Sequence, residues 1–273
     1  MIRSTTPGFA GVFGAGAMTI GSPGVRPTPT CGTTPAICSN SFDRAGAAAS
    51  AAFPAWSETP VGDRVQCLFR YKQILEDNIN DIADVVVQEH GKTKAEAIGS
   101  LRRGIDCVEF ATAAPVLMMG RTLPQIAVST SFCRTEDEGG VGVDSQVDRV
   151  PLGVCAGIVP FNFPSMVPLW MLPQALVAGN TFVLKPSEQV PYSSMRLAEI
   201  FKEAGLPDGV LNIVNGGKET VEALCDSTVV QALGFVGSTK VAKIVYGRGA
   251  QTGKKVICLG GAKNHLIVVP DAD

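Results

Sequence analysis

The sequence predicts an α/β protein: an open parallel sheet with helices on both faces, preceded by a helical segment. Three observations carry this. From Pro151 onward, short apolar runs of strand length alternate with amphipathic stretches, the pattern of βαβ crossovers. Before it, residues 43–120 repeat apolar side chains at helical spacing. Over 273 residues the hydrophobic fraction is 45% and the charged fraction 18%, enough apolar material for a filled core.

The elements follow in order. Residues 1–42 hold no Asp, Glu or Lys, but seven Gly, five Pro and seven Thr. They read as a disordered leader, a transit peptide or a misassigned gene start. In 43–120, Ile79, Ile82, Ala83 and Val86 recur at i, i+3, i+4 and i+7, and Ile98, Leu101, Ile105 and Val108 share a face. These stripes are core. Residues 121–150 are polar with short β-prone pieces such as Val147 to Val150, and read as bridging, oligomerisation-type strands. The alternating region then runs as follows: strand Val154–Val159, helix Leu169–Ala178, strand Thr181–Leu184, helix Ser193–Glu203, strand Leu211–Val214, helix Glu219–Cys225, strand Leu233–Val236 and helix Lys240–Tyr246. Strands Val256–Leu259 and Leu266–Val269 close it. Sheets of this kind bind ligands at the carboxyl ends of their strands, so chemistry is sought just after each strand.

Composition removes several functions. A net charge of −2 gives no footprint for nucleic acid, and no apolar run has the length of a membrane span. The eight cysteines, Cys31, Cys38, Cys67, Cys107, Cys133, Cys155, Cys225 and Cys258, include no CxxC spacing, and the histidines are His90 and His265 alone. That argues against structural zinc and for reduced, intracellular thiols. Gly14-Ala15-Gly16 lacks the third glycine and the strand–turn–helix setting of a dinucleotide fingerprint. Gly91-Lys92-Thr93 imitates the end of a phosphate loop, but Val86 stands where its first glycine belongs. Asp271 and Asp273 have no companion ligands.

Four segments after strands remain. In Pro160-Phe161-Asn162-Phe163-Pro164, the Asn162 amide can donate to a developing oxyanion; a turn-forming Asn is the plainer reading. In Lys185-Pro186-Ser187-Glu188, Lys185 and Glu188 offer a donor and an acceptor to ribose hydroxyls, although such a turn is ordinary by itself. In Phe235-Val236-Gly237-Ser238-Thr239, Gly237 admits a phosphate to the backbone at a helix N-terminus, or Ser238 is simply an N-cap. In Leu259-Gly260-Gly261-Ala262-Lys263-Asn264-His265, the glycines imply close approach of another backbone or a ligand.

In this order the four segments resemble the NAD(P)-dependent aldehyde dehydrogenases, from about Phe53 to the last residue. Leu117-Met118-Met119-Gly120, Arg149 to Ile158 and Gly261 to His265 are similar to the CoA-acylating methylmalonate-semialdehyde branch. The resemblance implies an incomplete Rossmann-like cofactor domain over 151–273. It implies NAD as cofactor, a short semialdehyde as substrate and CoA as acyl acceptor. Asn162 becomes the oxyanion donor, Lys185 and Glu188 the adenosine-ribose contacts, Gly237 and Ser238 the pyrophosphate contact, and Phe161 and Ser187 further cofactor contacts. Leu259, counted from Lys254-Lys255-Val256, stands where hydrolytic relatives carry a water-activating Glu; a leucine cannot take a proton. A homo-oligomer is implied too, in the cytoplasm of a bacterium or the mitochondrial matrix of a eukaryote.

The family's nucleophilic cysteine lies in a Gly-Gln-x-Cys setting beyond Asp273, and none of the eight cysteines has that context. The expectation is therefore an N-terminal fragment without turnover of its own. A non-catalytic NAD-binding or interaction module and a hydrolytic dehydrogenase fragment are the alternatives, with an unrelated alcohol dehydrogenase further off. For a carboxylate-bearing substrate Arg103 is the candidate contact, against a solvated helix charge.

Overall fold

The computed structural model describes residues 35–128, 142–262 and 265–272. Gly14-Ala15-Gly16, Cys31, Cys133, Lys263, Asn264 and Asp273 lie outside the described residues, and of Cys38 only the helical backbone is described. The described residues open with α1 (Pro35–Glu58), which runs across the expected leader boundary at 42 and corrects it. Phe42, Ala45 and Ala49 are buried along one face of this helix.

Four helices follow: α2 (Val61–Asp77), α3 (Ile79–His90), α4 (Lys94–Ala111) and α5 (Ala114–Leu117). The α3 stripe of Ile79, Ile82, Ala83 and Val86 is buried as expected. Gly91 ends α3 in the left-handed region, φ 85°, donating its N–H to the Val87 carbonyl at 2.9 Å. Thr93 starts α4 with a reciprocal cap: its Oγ1 accepts from Glu96 N–H at 3.3 Å, and Glu96 Oε2 accepts from Thr93 N–H at 3.1 Å. The tripeptide that imitates a phosphate loop is a helix stop, a lysine and a helix start.

A two-stranded antiparallel ribbon, β1 (Arg121–Val128) and β2 (Gly142–Val147), precedes the main sheet. The sheet contains β3 (Val154–Ile158), β4 (Thr181–Lys185), β5 (Leu211–Ile213), β6 (Val230–Val236) and β7 (Lys255–Leu259) in the order β5-β4-β3-β6-β7, all pairs parallel. The linking helices are α6 (Met166–Val177), α7 (Tyr192–Glu203), α8 (Lys218–Asp226) and α9 (Thr239–Gln251). This is the expected fold class. The period of two divides the core. Cys155, Phe182 and Leu184 pack with α2, α3, α4, α6 and α7, whereas Val154, Ala156, Ile158 and Val183 pack with α8, α9 and the start of α1. Trp56, near the end of α1, joins the first cluster, and its Nε1 donates to the Leu176 carbonyl at 2.9 Å. So α1 begins on one face of the sheet and ends on the other.

Close packing comes from glycines at chosen points. A Cβ on Gly104 of α4 would lie 2.6 Å from Leu169 Cδ1 of α6. Gly157 and Gly234, partners in the β3–β6 ladder, both make room for the Met171 sulfur. One expected strand is absent. Leu266–Val269 forms no ladder with the described residues, and Leu266 and Ile267 are 87% and 90% exposed. An apolar run becomes a strand only when a neighbour completes its hydrogen bonds.

Candidate functional site

Strand order reverses between β3 and β6, where β3 turns toward β4 and β5 on one side and β6 and β7 lie on the other. The crevice at the carboxyl ends of these two strands is where an open α/β sheet takes a ligand. The four segments singled out from the sequence all follow strands that end on this edge. Ile158 is in register with Lys185 on one side and with Phe235 on the other. At a strand spacing of about 4.8 Å, Lys185 and Phe235 stand roughly 10 Å apart across the crevice.

Lys185 is the last residue of β4 and is 4% exposed. Its Nζ donates to Glu188 Oε2 at 2.8 Å, and the Glu188 side chain is 60% exposed. Burial pushes the Glu188 carboxyl up, but the hydrogen bond and charge of Lys185 outweigh it and hold it below the usual carboxylate range. Ser187 is buried, and its Oγ accepts from Gln189 N–H at 3.3 Å. Across the crevice, Ser238 caps α9, its Oγ accepting from Val241 N–H at 3.4 Å. The first N–H groups of a helix have no intrahelical partner and favour an anion. A buried cation paired with a solvated carboxylate thus lies on the same sheet edge as a helix N-terminus that favours an anion.

Gly237 has a second reason to be glycine: a Cβ there would lie 2.6 Å from the Phe235 ring. Its N–H donates to the Leu259 carbonyl at 3.1 Å. Gly260 and Gly261 approach the start of α9, where Gly261 N–H donates to Thr239 Oγ1 at 3.0 Å. The close approach expected of these glycines is to a helix of the same chain. Leu259 ends β7 and is 48% exposed.

Asn162 and Phe161 are exposed in the loop after β3. The Asn162 carbonyl accepts from Lys92 Nζ at 3.0 Å. Lys92 lies 4.5 Å from the centroid of the Phe163 ring, and the Arg103 guanidinium lies 5.8 Å from it. Arg103 therefore stands beside the loop that carries Asn162. Sequence reasoning missed Lys92, because a contact spanning 70 residues has no local signature.

Cys67, Cys107, Cys155, Cys225 and Cys258 lack the character of a nucleophile. Burial pushes the Cys67, Cys155 and Cys225 thiols up to about 11, and it raises Cys107 and Cys258 as well. An attacking thiol needs the opposite shift. Cys258 packs against the core, as expected of it. Among the described residues no His, Cys, Asp or Glu cluster could hold a metal, and no helix is long and apolar enough to cross a membrane. A hollow of about 590 Å³ lined by Asp226, Lys243 and Arg248 lies at the C-terminal ends of α8 and α9. These helices run back toward the amino edge of the sheet, away from the four segments.

The sequence model of the aldehyde dehydrogenase family matches residues 25–273. Malonate-semialdehyde dehydrogenase 1 of Geobacillus thermodenitrificans is 53% identical over 232 residues, 85% of this chain and 45% of the relative. Malonate-semialdehyde dehydrogenase of Pseudomonas aeruginosa is 50% identical over 226 residues, 83% of this chain and 43% of the relative. Among solved structures, methylmalonate-semialdehyde dehydrogenase (DddC) of Oceanimonas doudoroffii superposes with a TM-score of 0.78 at 46% identity, covering 86% of this chain and 46% of that one. A Sinorhizobium meliloti 1021 protein, solved in complex with NAD and named as a candidate methylmalonate-semialdehyde dehydrogenase, gives 0.77 at 41% identity, with 86% and 45% covered. The chain spans about half the length of these relatives.

Proposed function

The chain belongs to the aldehyde dehydrogenase family, and from that premise we propose that the protein carrying this sequence oxidises a short semialdehyde to an acyl-CoA with NAD. The observation that carries this reading is the gathering of Asn162, the Lys185–Glu188 pair and the Gly237-Ser238 turn at one edge of one parallel sheet. In this reading residues 151–273 carry the cofactor site, residues 43–120 brace it, and residues 121–150 bridge.

Each residue then has a task. Lys185 donates to, and Glu188 accepts from, the adenosine-ribose hydroxyls. Gly237, Ser238 and the start of α9 take the pyrophosphate. Phe161 and Ser187 flank the cofactor. When bound, NAD supplies the hydride acceptor. The Asn162 amide donates to the aldehyde oxygen as negative charge develops on it. A carboxylate on the substrate meets Arg103 beside the Phe163 ring. A thiolate nucleophile is also needed, and Cys67, Cys107, Cys155, Cys225 and Cys258, with thiols pushed up by burial, do not suit that role.

The likeness to the malonate- and methylmalonate-semialdehyde dehydrogenases supports CoA as the acceptor, and a CoA thiol of pKa about 8.5 needs no strong base. The balanced reaction is aldehyde, NAD⁺ and CoA thiol to thioester, NADH and one proton. NADH fluorescence with malonate semialdehyde, on a protein that carries this sequence together with the Gly-Gln-x-Cys nucleophile, tests it. Steady turnover is expected only with CoA present. Fast CoA-independent turnover yielding free acid would return the protein to the hydrolytic alternative. NAD binding without turnover under any condition would favour a non-catalytic module. The homo-oligomer belongs to the same proposal; the β1–β2 ribbon exposes Leu123, Ile126 and Val147, and analytical ultracentrifugation checks it. The bacterial origin of the relatives named above supports the cytoplasm.

A further inference from the structure

The Gly91-Lys92-Thr93 turn, set aside as an incomplete phosphate loop, delivers a side chain to the candidate active site. Gly91 is held at φ 85° with no atom within 4 Å of where its Cβ would stand, so conformation and not space selects glycine there. Thr93 is locked by its reciprocal cap with Glu96. Lys92 is thereby fixed between two helix ends. Its Nζ takes the Asn162 carbonyl at 3.0 Å and sits 4.5 Å from the Phe163 ring centroid. The exit of the same loop is held separately: Ser194 Oγ donates to the Pro164 carbonyl at 3.1 Å, and Val167 N–H to the Phe163 carbonyl at 3.2 Å.

We propose that Lys92 is a positioning residue for aldehyde oxidation: by holding the Asn162 carbonyl and the Phe163 ring, it fixes the backbone from which the Asn162 amide is aimed at the developing oxyanion. This rests on the reading of Asn162 as the oxyanion donor. A hydrogen bond to the carbonyl sets the peptide plane and leaves the side-chain amide free for the substrate.

The test is steady-state kinetics of a protein that carries this sequence together with the Gly-Gln-x-Cys nucleophile, with malonate semialdehyde, NAD and CoA. Lys92→Met keeps the aliphatic stem and removes the donor; kcat falls roughly ten- to hundredfold, the loss expected when a catalytic group is displaced by about 1 Å. The KM for NAD stays within about twofold, because the ribose contacts are untouched. Lys92→Arg restores a donor and a cation over the ring and returns most of the rate. Asn162→Ala lowers kcat by roughly 100- to 1,000-fold. Adding Lys92→Met to it costs nothing further, since the lysine acts through that amide. A parental kcat for Lys92→Met beside a slow Asn162→Ala overturns the proposal, and so do losses that multiply in the double variant. A parental rate for Asn162→Ala removes the oxyanion reading itself, and the role of Lys92 with it. If Lys92→Met fails to fold, Lys92→Gln takes its place in the same cycle.

Discussion

Replacing Lys185 with Met probes the cofactor site while sparing the fold. The Lys185 side chain is 5% exposed and its Nζ lies 2.8 Å from Glu188, which is 60% exposed. Met has nearly the same length and no charge to desolvate, and the carboxylate left behind is solvated. Removing one partner of an ion pair is costly when the other is left buried; here the carboxylate left behind is largely exposed, so the cost is small. An ammonium has three donors, of which the Glu188 contact uses one. The others remain for the ribose, so cofactor binding gains a hydrogen bond without breaking one. A hydrogen bond to a charged group contributes about 1.5–3 kcal/mol. Taking the lower part of that range, because water competes in the open crevice, the loss is about 1.5–2 kcal/mol, or roughly 10- to 30-fold in Kd for NAD. Calorimetric titration measures it, beside a thermal melt without NAD. The melting temperature should stay within about 2 °C of the parent. An unchanged Kd refutes the assignment, and a collapse of the melting temperature would make Lys185 a structural residue. The parent also carries an acid-side signature. The native pKa of Glu188 is depressed, so the stability from this pair is present above the unfolded carboxylate value and is lost as pH falls through the native one. In the Met variant that loss is absent.

Two glycines of α4 should respond oppositely. Gly104→Ala drives a methyl to 2.6 Å from Leu169 Cδ1, and overpacking of about 1–3 kcal/mol exceeds the helix-propensity gain of about 1 kcal/mol, whereas Gly99→Ala meets nothing within 4 Å and should stabilise by about 0.5–1 kcal/mol. Urea midpoints of the two variants decide it, and two shifts of the same sign would contradict the packing. Glu89 accepts from Tyr192 N–H at 2.8 Å and Ser193 N–H at 3.1 Å, capping α7 from α3. Glu89→Ala should cost about 1–2 kcal/mol and speed hydrogen exchange in the first turn of α7; unchanged exchange there would deny the cap. With thiols pushed up to about 11 and buried, Cys67, Cys155 and Cys225 should escape iodoacetamide at pH 7.5 in the folded protein. Mass spectrometry showing rapid labelling of Cys155 would reverse that view of the core.

Periodic residues made most of the fold legible. Ile79, Ile82, Ala83 and Val86 are buried together because a helix repeats every 3.6 residues, and β3 and β4 are buried throughout because helices cover both faces of a parallel sheet. Where composition stood in for periodicity the reading failed. The first acidic residue, Asp43, marks the expected end of the leader, although Phe42, Ala45 and Ala49 share a buried face of one helix that spans it. Leu266–Val269 has strand composition, but its fate depends on a neighbour that no local pattern reveals. The candidate site was legible as four separate segments, since each follows its own strand. What joins it to the bundle was not: Lys92 reaches Asn162 across 70 residues, and Glu89 reaches Ser193 across 104.

The passage of α1 around the sheet has a consequence for the newborn chain. Trp56 finds its acceptor at Leu176, 120 residues later, and Arg64 donates to the Val177 carbonyl, 113 residues later. At ribosomal speed that is a wait on the order of ten seconds. Throughout it Phe42, Ala49 and Trp56, all buried in the finished molecule, have no sheet to grip. The grasp is made before the thing it holds, so the nascent protein depends on whatever shields those side chains until β4 emerges.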